Sequence, residues 1–232
     1  QVLALLADAD VHVRRLASSM LPDVLVGPMP LLSPSNTDGE ITLQGRSTGG
    51  GLPATVLNAL LNQALSDPDT TVKRNVLSMA PYVPGALDRE KVEACFAHAD
   101  TQVRVLAVRA AARLRGQETA RAEALSRLVR DPDVLVRREV TQALGRLGAT
   151  GFKALEELST DADPSVRLDA IRELVEKQHP RGMELLRSTV LDESLPADER
   201  RGLVLYAGLY AGDAEALLLE LLGSPSAILR AE

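Results

Sequence analysis

The sequence predicts an all-α fold: a right-handed α-solenoid, or superhelix, of stacked antiparallel helix pairs. Two observations carry that prediction. One short pattern recurs along the chain at a nearly fixed period, and the segments between its copies have apolar residues at helical spacing. The pattern is an Asp, a few small or polar residues, a β-branched residue and then a base. It reads DADVHVRR from Asp8, DPDTTVKR from Asp67, DPDVLVRR from Asp131 and DADPSVR from Asp161. HADTQVR from His98 is a weaker copy, and SLPADERR from Ser194 and SPSAILR from Ser224 are degraded ones.

The bases serve as markers: Arg14, Lys73, Arg104, Arg137, Arg167, Arg200 and Arg230. Successive markers lie 59, 31, 33, 30, 33 and 30 residues apart. A period of this length is the mark of a repeat array, in which each unit buries its apolar stripe only against its neighbours. About seven repeats of 30–33 residues are expected, interrupted once by a long Pro/Gly-rich loop.

Each period holds two helices. In the clearest copy Ala122 to Arg130 reads as the first, with Leu125, Leu128 and Val129 apolar. Asp131-Pro132-Asp133 then forces a turn, because Pro132 cannot continue a helix and Asp133 is placed to cap the next one. The second helix runs from Val134 to about Leu147, with Val136, Val140, Ala143, Leu144 and Leu147 on one face and Gly148 as its stop. The following copy predicts helices over 152–159 and 165–177.

Three segments are expected: 1–21 as a partial first repeat, 22–52 as an irregular insertion or degraded repeat, and 53–232 as continuous repeats, the last truncated. Within 22–52, Pro22, Pro28, Pro30 and Pro34 precede a Gly-rich stretch, a density that precludes a regular helix pair. Residues 40–44 are a candidate short strand. Residues 45–51 lack the Lys-Ser/Thr ending of a phosphate loop. The chain starts at Gln1 rather than Met and both ends fall inside a repeat, so it is expected to be part of a longer protein.

The Asp-Pro-Asp turn followed by Val-Arg resembles the HEAT repeat, and most closely the bacterial phycobilisome-lyase HEAT-like repeats. The resemblance covers nearly all of the chain outside 22–52. It implies a ladder between adjacent repeats, made by a turn Asp and a base six residues on. Asp8/Arg14, Asp67/Lys73, Asp131/Arg137 and Asp161/Arg167 match that offset; His98/Arg104, Ser194/Arg200 and Ser224/Arg230 do not.

Composition bounds the function. Apolar residues make up 45% of the 232, with aromatics at 2% and no Trp, which suits aliphatic helix packing better than an aromatic ligand pocket. The net charge of −6 gives the whole chain no attraction to nucleic acid or anionic membrane. No apolar run reaches the roughly 18 residues of a membrane span. The single Cys95 excludes an internal disulfide, and a cytoplasmic location is expected.

No catalytic constellation is legible. His12, His98 and His179 have no metal-ligand spacing, and Cys95 with His98 supplies only two ligands. Among HEAT-like families, one enzyme binds two irons through His-Glu pairs, but here Val13, Ala99 and Pro180 follow the histidines. Another binds alkylated DNA through aromatic side chains, which Tyr82, Phe96, Phe152, Tyr206 and Tyr210 are too scattered to supply. The phycobilisome lyases act on bilins, but the shared repeat alone does not carry that activity.

The expected function is therefore a non-catalytic scaffold or adaptor that binds another protein, without cofactor or metal. The polar face of the second helices is the candidate surface: Arg74, Arg109, Arg113, Arg138, Gln142, Arg146 and Arg172. Such a column suits an acidic peptide or phosphorylated partner. A nucleic-acid-binding solenoid and a lyase-like subunit are the alternatives. The first helices and loops carry much of the acid, including Glu90, Glu93, Glu156 and Glu157, so a basic inner face under an acidic total is expected.

Overall fold

The computed structural model describes residues 2–25, 53–210 and 214–223. All the regular structure in them is helical. The chain divides into two compact units, Gln1–Arg115 and Gly116–Glu232.

In the first unit a 3-10 helix, Val2–Ala7, precedes α1 (Val11–Ser19) and a short α2 (Leu21–Leu25). Then come α3 (Ala54–Leu65), α4 (Thr70–Ser78), α5 (Arg89–Ala94) with a 3-10 turn over Cys95–Ala97, and α6 (Thr101–Ala111). Val2–Ala7, α3 and α5 form one layer, and α1, α4 and α6 form the second, each pair packing on the next. The second unit repeats the plan. α7 (Glu118–Ser126), α9 (Phe152–Leu158), α11 (Gly182–Leu191) and α13 (Ala214–Leu222) alternate with α8 (Val134–Arg146), α10 (Pro164–Glu176) and α12 (Ala197–Tyr210). α8 packs on α10 and α10 on α12.

The turn chemistry explains why every second helix starts where it does. In each full copy the first Asp accepts the N–H of the second: Asp8 from Asp10, Asp67 from Asp69, Asp131 from Asp133 and Asp161 from Asp163, all at 2.8–2.9 Å. The second Asp then caps the helix, accepting from the N–H groups of its first turn. His98 stands in for the first Asp, its Nδ1 accepting from Asp100 N at 3.0 Å, and Asp100 caps α6. Pro164 belongs to the first turn of α10 rather than to the preceding turn, since a Pro there forfeits no helical hydrogen bond.

In the copies starting at Asp67, His98, Asp131 and Asp161 the β-branched residue is the core anchor. Val72, Val103, Val136 and Val166 are fully buried. With Leu61, Leu65 and Leu77 in one unit, and Leu125, Leu144, Leu155 and Ile171 in the other, they give aliphatic cores. Each such side chain contributes about 1.5–3 kcal/mol by leaving water. Tight contact between successive elements requires Gly151, where any Cβ would sit 2.5 Å from the Leu144 carbonyl oxygen.

Pro22 lies in the first turn of α2, so the expected irregular segment opens with a short helix. Residues 26–52, including the candidate strand over 40–44 and the Gly-rich stretch, lie outside the described residues.

Candidate protein-binding face

The marker arginines set how consecutive helix pairs stack. Arg14 donates Nη1 to the carbonyls of Asp8 and Ala9 in its own turn, at 2.9 and 3.0 Å, and Nε to the Asp67 carboxylate of the next turn, at 2.5 Å. Arg137 does the same with Asp131 O, Pro132 O and both oxygens of Asp161. One guanidinium thus closes its own turn and reaches the following one, using the planar fork that Arg has and Lys lacks.

Two junctions solve the problem differently. Lys73 spends its ammonium on Leu65 O at 3.0 Å, and the turn after it offers His98 in place of an Asp. There Arg74 pairs with the Asp100 carboxylate instead, lowering that group's pKa. In the second unit Arg167 bonds Asp161 O and Ala162 O as usual, but its carboxylate partner is Glu199 on α12, at 2.5 Å. The motif match does not single out Glu199, because it lies five residues past Ser194, in the helix rather than the turn.

The candidate arginines fall into three situations. Arg74 and Arg138 bridge consecutive second helices, Arg138 donating to Asp169 at 3.1 Å. Arg109 and Arg113 are exposed on and just beyond α6, and Arg113 Nη1 lies 3.4 Å from Arg109 O. Gln142, Arg146 and Arg172 line a groove of about 410 Å³ over α8, α10 and α12, with Asp169, Glu173, Glu176, Lys177 and Tyr206.

This groove is mixed in charge rather than purely basic. Asp169 faces both Arg138 and, at 3.9 Å, Arg172; Glu176 pairs with Lys177 at 2.7 Å. Arg172 extends toward the Tyr206 ring, 5.8 Å from its centroid, and the Tyr206 hydroxyl donates to Arg172 O at 3.2 Å. Among the described residues neither the Gln142 amide nor the Arg146 guanidinium has a hydrogen bond or ion pair. Glu173 lies against Gly145, where a Cβ would come within 1.9 Å of its carboxylate oxygen. Burial, and then the nearby Glu176, push its carboxyl pKa up.

Sequence alignment from the marker places Leu168, Arg172 and Glu176 on this face, and so misses Asp169 and Glu173. Their spacing from Glu176 on α10 was the available signal, since residues three and seven positions before it lie on the same side of a helix.

The Cys95 thiol is buried, which raises its pKa, and it points to Lys91 O at 3.4 Å. His179 packs edge-on against Phe152 at 4.6 Å and lies 3.4 Å from Glu156. Among the described residues no group of His, Cys, Asp and Glu is arranged to hold a metal ion, and no helix is long and apolar enough to cross a membrane.

Residues 90–154 match the family described as HEAT repeats. No curated protein matches the chain in sequence. Several solved structures share its fold. An engineered protein matches with a TM-score of 0.56 at 18% identity, over 99% of this chain and 65% of its own. The complex of CpcE and CpcF of phycocyanin lyase from Nostoc sp. PCC7120 matches with a TM-score of 0.53 at 19% identity, over 99% of this chain and 90% of that one. A designed armadillo repeat protein in complex with the peptide (KR)4 matches with a TM-score of 0.52 at 14% identity, over 100% and 94% of the two chains. At these identities the likeness shows the fold, an α-solenoid, and not an activity. The recurrent Asp-x-Asp turn, capped second helix and marker base are those of an α-solenoid that matches HEAT repeats over residues 90–154.

Proposed function

We propose that this chain is a non-catalytic adaptor that binds an extended segment of a partner protein in the groove over α8, α10 and α12. The observation that carries the reading is the pair of unengaged groups on α8. Gln142 and Arg146 stand one helical turn apart on the groove wall, exposed and without a hydrogen bond or close ion pair among the described residues, while Arg138 is committed to the next helix. A side-chain amide beside an exposed guanidinium suits a peptide: the amide satisfies one backbone unit and the guanidinium takes a carboxylate. Glu173 faces them with a carboxyl whose burial favours a donor or a cation. The preferred segment therefore carries an acidic and a basic or hydroxyl side chain close together, rather than an acidic run. The designed armadillo neighbour, which holds a (KR)4 peptide, lends support to peptide capture by this fold.

The test is partner capture by the full chain, comparing wild type with Gln142→Ala/Arg146→Glu. Loss of a partner at unchanged helicity supports the groove. Capture that is unaltered, while Arg109→Glu/Arg113→Glu abolishes it, would move the site to the first unit. Binding of nucleic acid whose affinity falls steeply with salt would replace the adaptor reading.

A further inference from the structure

Of the 13 residues of α8, only Leu135, Gln142 and Arg146 are exposed. Seven residues and then four separate them, so at the α-helical pitch they fall within about 40° of one another. They form one stripe, which carries the groove wall two turns past Gln142 toward the start of α8. Arg138 stands on its flank and donates to Asp169 of α10 at 3.1 Å, leaving the crest to the other three.

Leu135 breaks the pattern of the repeat. Its place is the fourth after the first turn residue. In the copies starting at Asp8, Asp67, His98 and Asp161 that place holds His12, Thr71, Gln102 and Ser165, polar each time. The core does not call for a leucine here, because Val136 beside it is fully buried and is the anchor. Leu135 is instead 50% exposed, at one end of a stripe whose other end is a guanidinium.

We propose that Leu135 is the specificity-determining apolar contact of the groove, and that the bound segment of a separate protein carries an aliphatic side chain four residues from the acidic one that pairs with Arg146. The assignment rests on the adaptor reading of the groove and adds the side chain that selects the segment. The spacing follows from geometry. Eleven residues of helix set the Cα atoms of Leu135 and Arg146 about 16 Å apart. Helical side chains lean toward the N-terminus, and the longer Arg146 stem shortens that separation by a few Å. In an extended segment side chains on one face recur at every second residue, and four residues span about 13 Å. Two residues fall well short and six overshoot. The Gln142 amide lies between the two ends, where the segment's backbone passes.

The probe is a library of displayed random dodecapeptides, selected against the full chain. Enrichment of an aliphatic residue four positions from Asp or Glu is expected. A selected peptide, fluorescein-labelled and read by anisotropy, is expected to bind Leu135→Ser about tenfold more weakly, since an aliphatic side chain laid on Leu135 removes apolar surface of both from water. Leu135→Met is expected to retain binding, and a double-mutant cycle with the peptide's aliphatic residue changed to Ser isolates the contact. Peptides that need Arg146 but show no aliphatic preference, or that bind Leu135→Ser as well as wild type, overturn the proposal and leave the groove standing. Selection of no peptide, or only of peptides indifferent to Gln142→Ala/Arg146→Glu, overturns both. Self-association of the chain that Leu135→Ser abolishes also overturns the proposal, assigning Leu135 to contact with a second copy.

Discussion

Replacing Arg137 by Met tests whether the marker base holds adjacent repeats together. The substitution keeps an apolar stem of similar length and removes the guanidinium, which bonds Asp161 at 2.8 and 2.9 Å and Asp131 O at 2.9 Å. The Asp161 side chain is 9% exposed and that of Arg137 14%, so the carboxylate left behind has little water to turn to. Removing one partner of a buried pair costs about 3–5 kcal/mol, and the residual exposure places the expected loss near the lower end, about 3 kcal/mol. Arg130→Met is the control: it breaks a pair with Glu157 in which Arg130 is 86% exposed, for an expected loss of about 0–1 kcal/mol. A double-mutant cycle with Asp161→Asn, which keeps the oxygen that accepts Asp163 N at 2.8 Å, isolates the pair itself. The readout is urea denaturation together with hydrogen exchange in α10, because a repeat array need not unfold all at once. If Arg137→Met costs no more than Arg130→Met, the Asp161 carboxylate is effectively solvated and the ladder does not set the stacking.

Three further outcomes follow from the same geometry. Glu173 has its carboxyl pKa raised by burial, so folding disfavours its ionised form, and its penalty is relieved as pH falls through that raised value. Glu173→Gln is therefore expected to raise the thermal midpoint at neutral pH and to have little effect near pH 4; an equal gain at both pH values would contradict the assignment. Asp69 has the opposite sign: the Arg15 hydrogen bond lowers its pKa from 3.8 to about 2, so its contribution is present above 3.8 and lost as pH falls toward 2. Asp69→Asn is expected to flatten the acid limb of the first unit's stability between those values, read by circular dichroism. Gly151→Ala sets a methyl 2.5 Å from the Leu144 carbonyl, an obstacle of backbone that no rotamer change relieves, and is expected to cost about 1–3 kcal/mol in the denaturation midpoint of the second unit.

Much of the fold is local and was legible in the residues. The Asp-x-Asp turns write their own hydrogen bonds within two or three residues, so the helix starts at Val134 and Thr70 and the burial of Val72, Val136 and Val166 follow from short-range chemistry. The same holds for the stop after α8: Gly148 takes a φ of 59°, which side chains resist. The period alone predicted stacked helix pairs, since one pair cannot bury its own stripe.

Register between helices decided the rest, because it brings together residues that no spacing in the chain connects. It put Glu199 where a turn Asp was missing, set Asp169 against Arg138 and laid Glu173 over Gly145, converting an expected column of arginines into a groove of both charges. It also separated the arginines held by the stack from Arg146, which is exposed on the groove wall near Glu173. The sequence by itself determined the repeat, its turns and its core, all products of local hydrogen bonding and helical periodicity. Which charges are spent on stacking and which are left exposed is a property of distances between helices, and only the tertiary structure contains those.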